Sequence, residues 1–255
     1  MPKLQYLETH VVDQCNLNCR GCSHFSPIAK TNNYSFNEFE KDIYRLAELI
    51  NEIEVFRLLG GEPFIANNLT EYIKTVRQTF PSTDLRIVTN GLLLRNADKL
   101  VLKIIKENNV QLDISIYTPT QNVMHEIIEI LVRHDLRHSF LVPIQKFKKR
   151  ITLSTKCNNV TAFKNCSANN CTFLYKGKIS ACPGPSLCYL LNDRFDTKLN
   201  GDADVIDIHS IDITGKQIEE FIRHPLDLCK HCGNVLEFPW EQCTAARLSD
   251  WAIDA

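Results

Sequence analysis

LQYLETHVVDQCNLNCRGC, residues 4–22, decides the reading of the fold: an apolar run of strand length over 4–12 opens into a short loop carrying Cys15, Cys19 and Cys22. A strand that ends in a chemistry-bearing loop is typical of parallel α/β sheets, whose ligands gather at the C-terminal strand ends. The pattern recurs down the chain. Strand-length apolar runs stand at EVFRLLG (54–60), LRIVTN (85–90), VQLDISIY (110–117) and HSFLVPI (138–144). Between them lie segments of helical periodicity. The first opens at Ser35, with Glu38 three positions on as a capping box, and aligns Phe39, Ile43, Leu46 and Ile50 on one face. Others cover 69–80, 96–108 and 120–134. At least four alternations of strand and helix predict an α/β domain over residues 1–150, its parallel sheet open or curled toward a barrel. GGEP (60–63), TNG (89–91) and TPT (118–120) follow the second, third and fourth strands, so all of them collect with the cysteine loop on one face.

Charge and hydropathy narrow the partners. The 255 residues carry 29 Lys and Arg against 30 Asp and Glu, with no basic, aromatic-interleaved patch to bind nucleic acid. MPKLQYLETHVVDQ has no basic stretch followed by an apolar one, and no apolar run reaches the roughly 20 residues that cross a bilayer. A cytoplasmic protein without membrane partners is expected. In a reducing compartment the eleven cysteines point to metal or catalysis rather than to disulfides.

Three thiolates on one loop can hold three irons of a four-iron cluster and leave the fourth iron open, whereas closed electron carriers use four cysteines. Zinc bound by the three cysteines plus His24 or His10 is the alternative. The C-x3-C-x2-C triplet after the first strand, with GGEP after the second, resembles the radical S-adenosylmethionine superfamily over roughly residues 4–150. The resemblance implies a partial (β/α)6 barrel in which Cys15, Cys19 and Cys22 hold a [4Fe-4S] cluster and S-adenosylmethionine chelates the open iron. Gly60, Gly61, Glu62 and Pro63 would then face the methionyl ammonium, the glycines allowing close approach. Asn90 and Ser115 would meet the methionyl carboxylate or the ribose. One-electron cleavage of the sulfonium would give a 5′-deoxyadenosyl radical that takes a hydrogen atom from the substrate, with flavodoxin or ferredoxin as reductant. Gly21 stands where the family usually has an aromatic residue, which leaves adenine stacking to Phe25 or Tyr117.

Residues 151–255 hold a second group of cysteines. In CTFLYKGKISAC a two-residue turn at Lys176-Gly177 would pair Tyr175 with Lys178 and, counting outward, set Cys171 opposite Cys182. Cys229 and Cys232 follow the helical segment GKQIEEFIRHP. Together these resemble the SPASM/twitch extension of the same superfamily and imply one auxiliary [4Fe-4S] cluster, its first ligand being Cys166 by spacing or Cys171 by hairpin geometry. A zinc ribbon is the structural alternative. Cys157, Cys188 and Cys243 are left as buried thiols.

The twitch resemblance implies an oxidoreductase, dehydrogenase-like, acting on a small polyol, aminocyclitol or sugar. Peptide modification is the runner-up, epimerisation with Cys188 or Cys243 as hydrogen donor is a further option, and a noncatalytic iron-sulfur or zinc protein is the reading of another class. Tyr117, His24 and Arg20 near the cluster loop, and Asp193 and Arg194 within an irregular 187–204 segment, are candidate substrate contacts.

Overall fold

Side-chain alternation sets the first strand, β1 (Lys3–Val12). Leu7 and Val11 enter the core with Phe39, Ile43 and Leu46 of the helix that follows, while Tyr6, Glu8 and His10 take the other face. The computed structural model describes residues 2–29, 34–155 and 157–255. After β1 come α1 (Phe36–Leu49), β2 (Glu52–Gly60), α2 (Leu69–Thr79), β3 (Asp84–Thr89), α3 (Lys99–Glu107), β4 (Gln111–Ile114), α4 (Thr118–Asn122), α5 (Met124–Arg133) and β5 (His138–Phe140). Strands β1 to β5 pair in sequential order and all in parallel, in a register that sets Leu7 beside Phe56, Phe56 beside Leu85, Ile87 beside Leu112 and Ile114 beside Phe140. This is the α/β architecture that the alternation predicts.

The capping box at α1 forms as expected: Glu38 N donates to Ser35 Oγ at 3.3 Å and Ser35 N to Glu38 Oε2 at 2.9 Å. Other boundaries move for local reasons. Asp98 accepts from Leu100 N and starts α3 at Lys99 rather than 96. The helix expected over 120–134 breaks at Val123 into α4 and α5. The run 138–144 keeps only three residues of strand, because Pro143 has no N–H for the ladder.

The chain then departs from a sixth sequential βα repeat. It continues through β6 (Lys146–Ile151), α6 (Asn159–Lys164), β7 (Phe173–Tyr175), β8 (Lys178–Ser180), α7 (Pro183–Leu187), α8 (Tyr189–Phe195), β9 (Ile206–Asp207), α9 (Gly215–Phe221) and β10 (Cys232–Pro239). β6 leaves the sheet and pairs antiparallel with β10. β7 adds to the far side of β1, in parallel, with Phe173 beside Glu8. β7 and β8 form the expected hairpin, Tyr175 beside Lys178, with Lys176 at φ 51° and Gly177 at φ 70°, the two left-handed residues that such a turn requires. The ladder ends at Phe173 and Ser180, before Cys171 and Cys182. Position 150 falls inside β6, and β7 to β9 share the sheet of the first strands. The segment 187–204, expected to be irregular, begins with α8, because Leu190 and Leu191 bury there; the helix ends at Asp196, at φ 53°. Among the described residues no helix is long and apolar enough to cross a bilayer.

The face of the sheet bearing Glu8 carries a polar ladder. Asp113 is fully buried and receives Arg57 Nη2 at 2.8 Å and Arg86 Nη1 at 3.5 Å. Burial pushes the Glu8 carboxyl up to about 7, against the hydrogen bond from Tyr6 and the charge of Arg57. Between about 4.5 and 7 the folded chain therefore keeps a proton that the unfolded chain has lost. Stability supplied by neutral Glu8 is complete below that window and is lost as pH rises through it. Taken as the difference between wild type and Glu8→Gln, which cancels the other buried groups titrating in this window, urea denaturation of the apoprotein is expected to show Glu8 losing on the order of 3 kcal/mol across it.

Candidate functional site

A cavity of about 240 Å³ opens at the C-terminal ends of β1 to β4. Cys15, Cys19 and Cys22 all line it, with Gly60 and Gly61 after β2, Thr89 and Asn90 at the end of β3, Ser115 and Tyr117 after β4, and Phe147 from β6. Each sulfur has its own donors. Leu17 N reaches Cys15 Sγ at 3.4 Å, with Asn90 Nδ2 at 3.8 Å; Trp240 Nε1 reaches Cys19 Sγ at 3.1 Å. Burial pushes the Cys15 thiol up to about 11 and the Cys19 thiol to about 12, and raises Cys22 against backbone N–H donors from His24, Ser26 and Phe25. Such thiols give up their protons when a metal binds.

The two glycines of GGEP bring β2 against the cysteine loop. A Cβ on Gly60 would lie 2.0 Å from Val12 O and one on Gly61 1.9 Å from Gln14 O, while Gly61 N donates to Val12 O and Glu62 N to Gln14 O at 2.8 and 2.9 Å. The side that would bear a side chain thus faces protein backbone. Glu62 and Pro63 stand behind the cavity wall. The Glu62 carboxylate, expected at the ligand, is instead fully buried and accepts from Thr89 Oγ1 at 2.6 Å, Asn90 N at 2.8 Å and Phe64 N at 3.3 Å. Burial lifts it to about 7. It ties the loop after β2 to the TNG loop. Asn90 reaches the loop from the other side, Nδ2 donating to Asn16 Oδ1 at 2.8 Å, and Thr120 caps the arrangement through Oγ1 to Asn90 O at 2.9 Å.

The missing aromatic at Gly21 has a structural explanation. At φ 65°, a Cβ there would meet Phe238 Cζ at 2.6 Å and Asp250 O at 2.7 Å, so a ring from β10 fills the space. Of the two residues proposed to replace it, Tyr117 lines the cavity, whereas Phe25 is buried against Trp251. Arg20 is turned to Glu241 and Asp250 and lies over Phe238, outside the cavity lining. His24 lines the cavity and closes a buried relay: its Nδ1 lies 2.8 Å from His10 Nε2, and His10 Nδ1 lies 2.9 Å from Asp13 Oδ1. Burial and the neighbouring His10 lower His24 to about 3. Periodicity gave no signal for this relay, since Asp13 and His24 lie in loops.

The second thiol group gathers at the end of β8 and the start of β10. Burial raises Cys182 and Cys232; nearby Cys229 and Cys166 push both further in the same direction. Arg150 Nη1 donates to Cys166 Sγ at 3.1 Å. Cys157 lies beside Gly233, whose Cβ would fall 2.5 Å from its sulfur. Cys171 sits toward Glu8 and Arg57, where burial pushes it up to about 12. Cys188 donates to Pro185 O at 3.4 Å and lines a separate cavity with Tyr189 and Asn192, while Cys243 N bonds Asn18 O at 2.7 Å. Asp193 and Arg194 are exposed on α8. Among the described residues, no three His, Cys, Asp or Glu side chains converge tightly enough to wrap a single metal ion.

A profile of the radical SAM superfamily matches residues 9–155, more than half of the chain. The chain belongs to the radical S-adenosylmethionine superfamily. Its members use a [4Fe-4S] cluster and S-adenosylmethionine, and the three thiols on one cavity fit that pair. Among curated relatives, GTP 3′,8-cyclase of Campylobacter curvus is 30% identical over 132 residues, 49% of this chain and 41% of the cyclase. GTP 3′,8-cyclase of Campylobacter jejuni subsp. doylei is 31% identical over 167 residues, 64% and 48% of the two chains. The radical SAM chain thus spans less than half the length of these relatives. The crystal structure of BtrN in complex with AdoMet and 2-DOIA superposes with a TM-score of 0.51 at 14% identity, over 91% of this chain and 93% of that one. This likeness is one of fold.

Proposed function

We propose that Cys15, Cys19 and Cys22 hold the [4Fe-4S] cluster, that Cys166, Cys182, Cys229 and Cys232 hold an auxiliary cluster, and that the protein oxidises or epimerises a small polyol, aminocyclitol or sugar. The observation that carries this reading is the convergence of three thiols, the Gly60–Gly61 backbone, Asn90 and Ser115 on one cavity. When bound, the cluster and S-adenosylmethionine supply one-electron cleavage of a carbon–sulfur bond and removal of a hydrogen atom from substrate. The chain's own residues position and shield. Leu17 N–H and Trp240 N–H hold two of the sulfurs, Tyr117 and Phe147 give the nucleoside an aromatic wall, and the β6–β10 ribbon brings Phe147 and Trp240 to the cavity's edge.

Residues 1–150 would carry this chemistry and 151–255 the auxiliary cluster. Cys166 is preferred to Cys171 because it lies near Cys182, Cys229 and Cys232, whereas Cys171 sits toward Glu8 and Arg57. A low-potential flavodoxin or ferredoxin in the cytoplasm would supply the electron. The 30–31% identity to proteins named GTP 3′,8-cyclase favours a second reading, with a purine nucleotide as substrate.

Anaerobic reconstitution with iron and sulfide, followed by dithionite and S-adenosylmethionine, tests the reading. The wild type is expected to bind about eight irons and to release 5′-deoxyadenosine; Cys166→Ala should keep about four irons, whereas Cys171→Ala should keep about eight. The reading fails if no 5′-deoxyadenosine forms under any reducing condition. Zinc in place of the second set of irons would overturn the auxiliary cluster alone. Supplying GTP, aminocyclitols and polyols in turn, and following which one raises 5′-deoxyadenosine, separates the two substrate readings.

A further inference from the structure

After β10 the chain returns to the cysteine loop and clasps it. Gln242 and Cys19 face each other as an isolated antiparallel bridge. Arg20 N donates to Glu241 O at 2.9 Å, Cys243 N to Asn18 O at 2.7 Å, and Asn18 Nδ2 to Cys243 O at 2.6 Å. Both tryptophans of the chain take part. Trp251 Nε1 donates to the Cys22 carbonyl at 2.8 Å, and Trp240 Nε1 donates to the Cys19 sulfur itself at 3.1 Å. The latter is shorter than the 3.4 Å from Leu17 N to Cys15 Sγ and the 3.8 Å from Asn90 Nδ2. The indole is held in place at two further points, its backbone N donating to Gln145 O at 2.9 Å and its ring lying 5.4 Å from that of Tyr117.

A thiolate ligand gains negative charge when its cluster accepts an electron, so a donor on that sulfur stabilises the reduced state more than the oxidised one. The partly buried setting strengthens the bond relative to water. We propose that Trp240 sets the reduction potential of the cluster held by Cys15, Cys19 and Cys22, through its indole N–H on the Cys19 sulfur. The inference rests on the cluster assignment made above. Trp240 is a positioning residue that acts through a ligand, and nothing in the matched core, residues 9–155, supplies it.

The test is an EPR-monitored redox titration of reconstituted wild type and Trp240→Phe, with dithionite as the one-electron donor. The signal followed is the one that changes when S-adenosylmethionine is added, which separates it from any auxiliary cluster. Trp240→Phe is expected to keep that signal and its iron, and to shift the midpoint to more negative potential. A tenfold drop in the reduced-to-oxidised ratio at fixed poise corresponds to about 59 mV for one electron. Trp240→His, which retains a ring N–H, should recover part of the shift. An unchanged midpoint in a Trp240→Phe protein that keeps its SAM-responsive signal overturns the proposal.

If Trp240→Phe loses its cluster, wild-type protein labelled with 15N-tryptophan decides by pulsed EPR, with Trp251→Phe removing the other indole. A 15N coupling to the SAM-responsive signal supports the proposal and its absence overturns it. A wild type that binds no SAM-responsive cluster sinks the underlying assignment first, at the iron count, before Trp240 is compared.

Discussion

Replacing Cys15, Cys19 and Cys22 together by alanine is expected to remove about four irons per chain and to lower 5′-deoxyadenosine formation by far more than 100-fold, because changes merely behind a metal ligand already cost 10–100-fold. The fold should survive. These thiols line a cavity instead of filling the core, and the loop's backbone is held by Gly61 N on Val12 O, Glu62 N on Gln14 O, Arg20 N on Glu241 O and Cys243 N on Asn18 O, backbone bonds that need no thiol. Circular dichroism and the melting of the apoprotein are therefore expected to stay close to wild type. Because burial holds Cys15 and Cys19 protonated at neutral pH, cluster assembly should release protons in the wild type that the triple variant does not release. Residual 5′-deoxyadenosine in a well-folded triple variant would remove these cysteines from the chemistry.

The parallel sheet and the cysteine loop were legible because their signals are local. Apolar periodicity marks β1 to β5 and their helices, and the C-x3-C-x2-C spacing marks a loop that must follow β1. What the sequence did not reveal were partners distant along the chain. For Glu62, nothing local shows that Thr89 Oγ1 and Asn90 N will take its carboxylate. Gly21 looked like a gap because Phe238, more than 200 positions away, fills it. Arg20 looked available until Glu241 and Asp250 arrived from the C-terminal segment. The hairpin at Lys176-Gly177 was correct in register, but counting along an ideal ladder overran its end, so Cys171 and Cys182 are not its last pair. β7 joining β1 from the other side had no sequence signal beyond a short apolar run, since strand order is decided by which edge of the sheet remains open.

Gly61→Ala is expected to cost about 3–5 kcal/mol, combining overpacking against backbone with the loss of buried hydrogen bonds. The added methyl would lie 1.9 Å from Gln14 O, 2.2 Å from Gln14 C and 2.8 Å from Asp13 O, all backbone atoms that cannot swing aside. The end of β2 must then separate from the cysteine loop, which breaks Gly61 N to Val12 O and Glu62 N to Gln14 O and draws the Glu62 carboxylate away from Asn90. A melting temperature lower by about 10 °C and a reduced iron content after reconstitution should follow together. Gly184→Ala is the control for melting alone, since its methyl would meet Leu228 Cδ2 at 3.4 Å and Cys182 Sγ at 3.5 Å, ordinary contacts that ought to be tolerated. If Gly61→Ala melts with the wild type but binds S-adenosylmethionine poorly, the glycine serves the ligand's approach; if it melts early, it serves the contact between β2 and the cysteine loop, and the ligand pocket depends on that contact only at second hand.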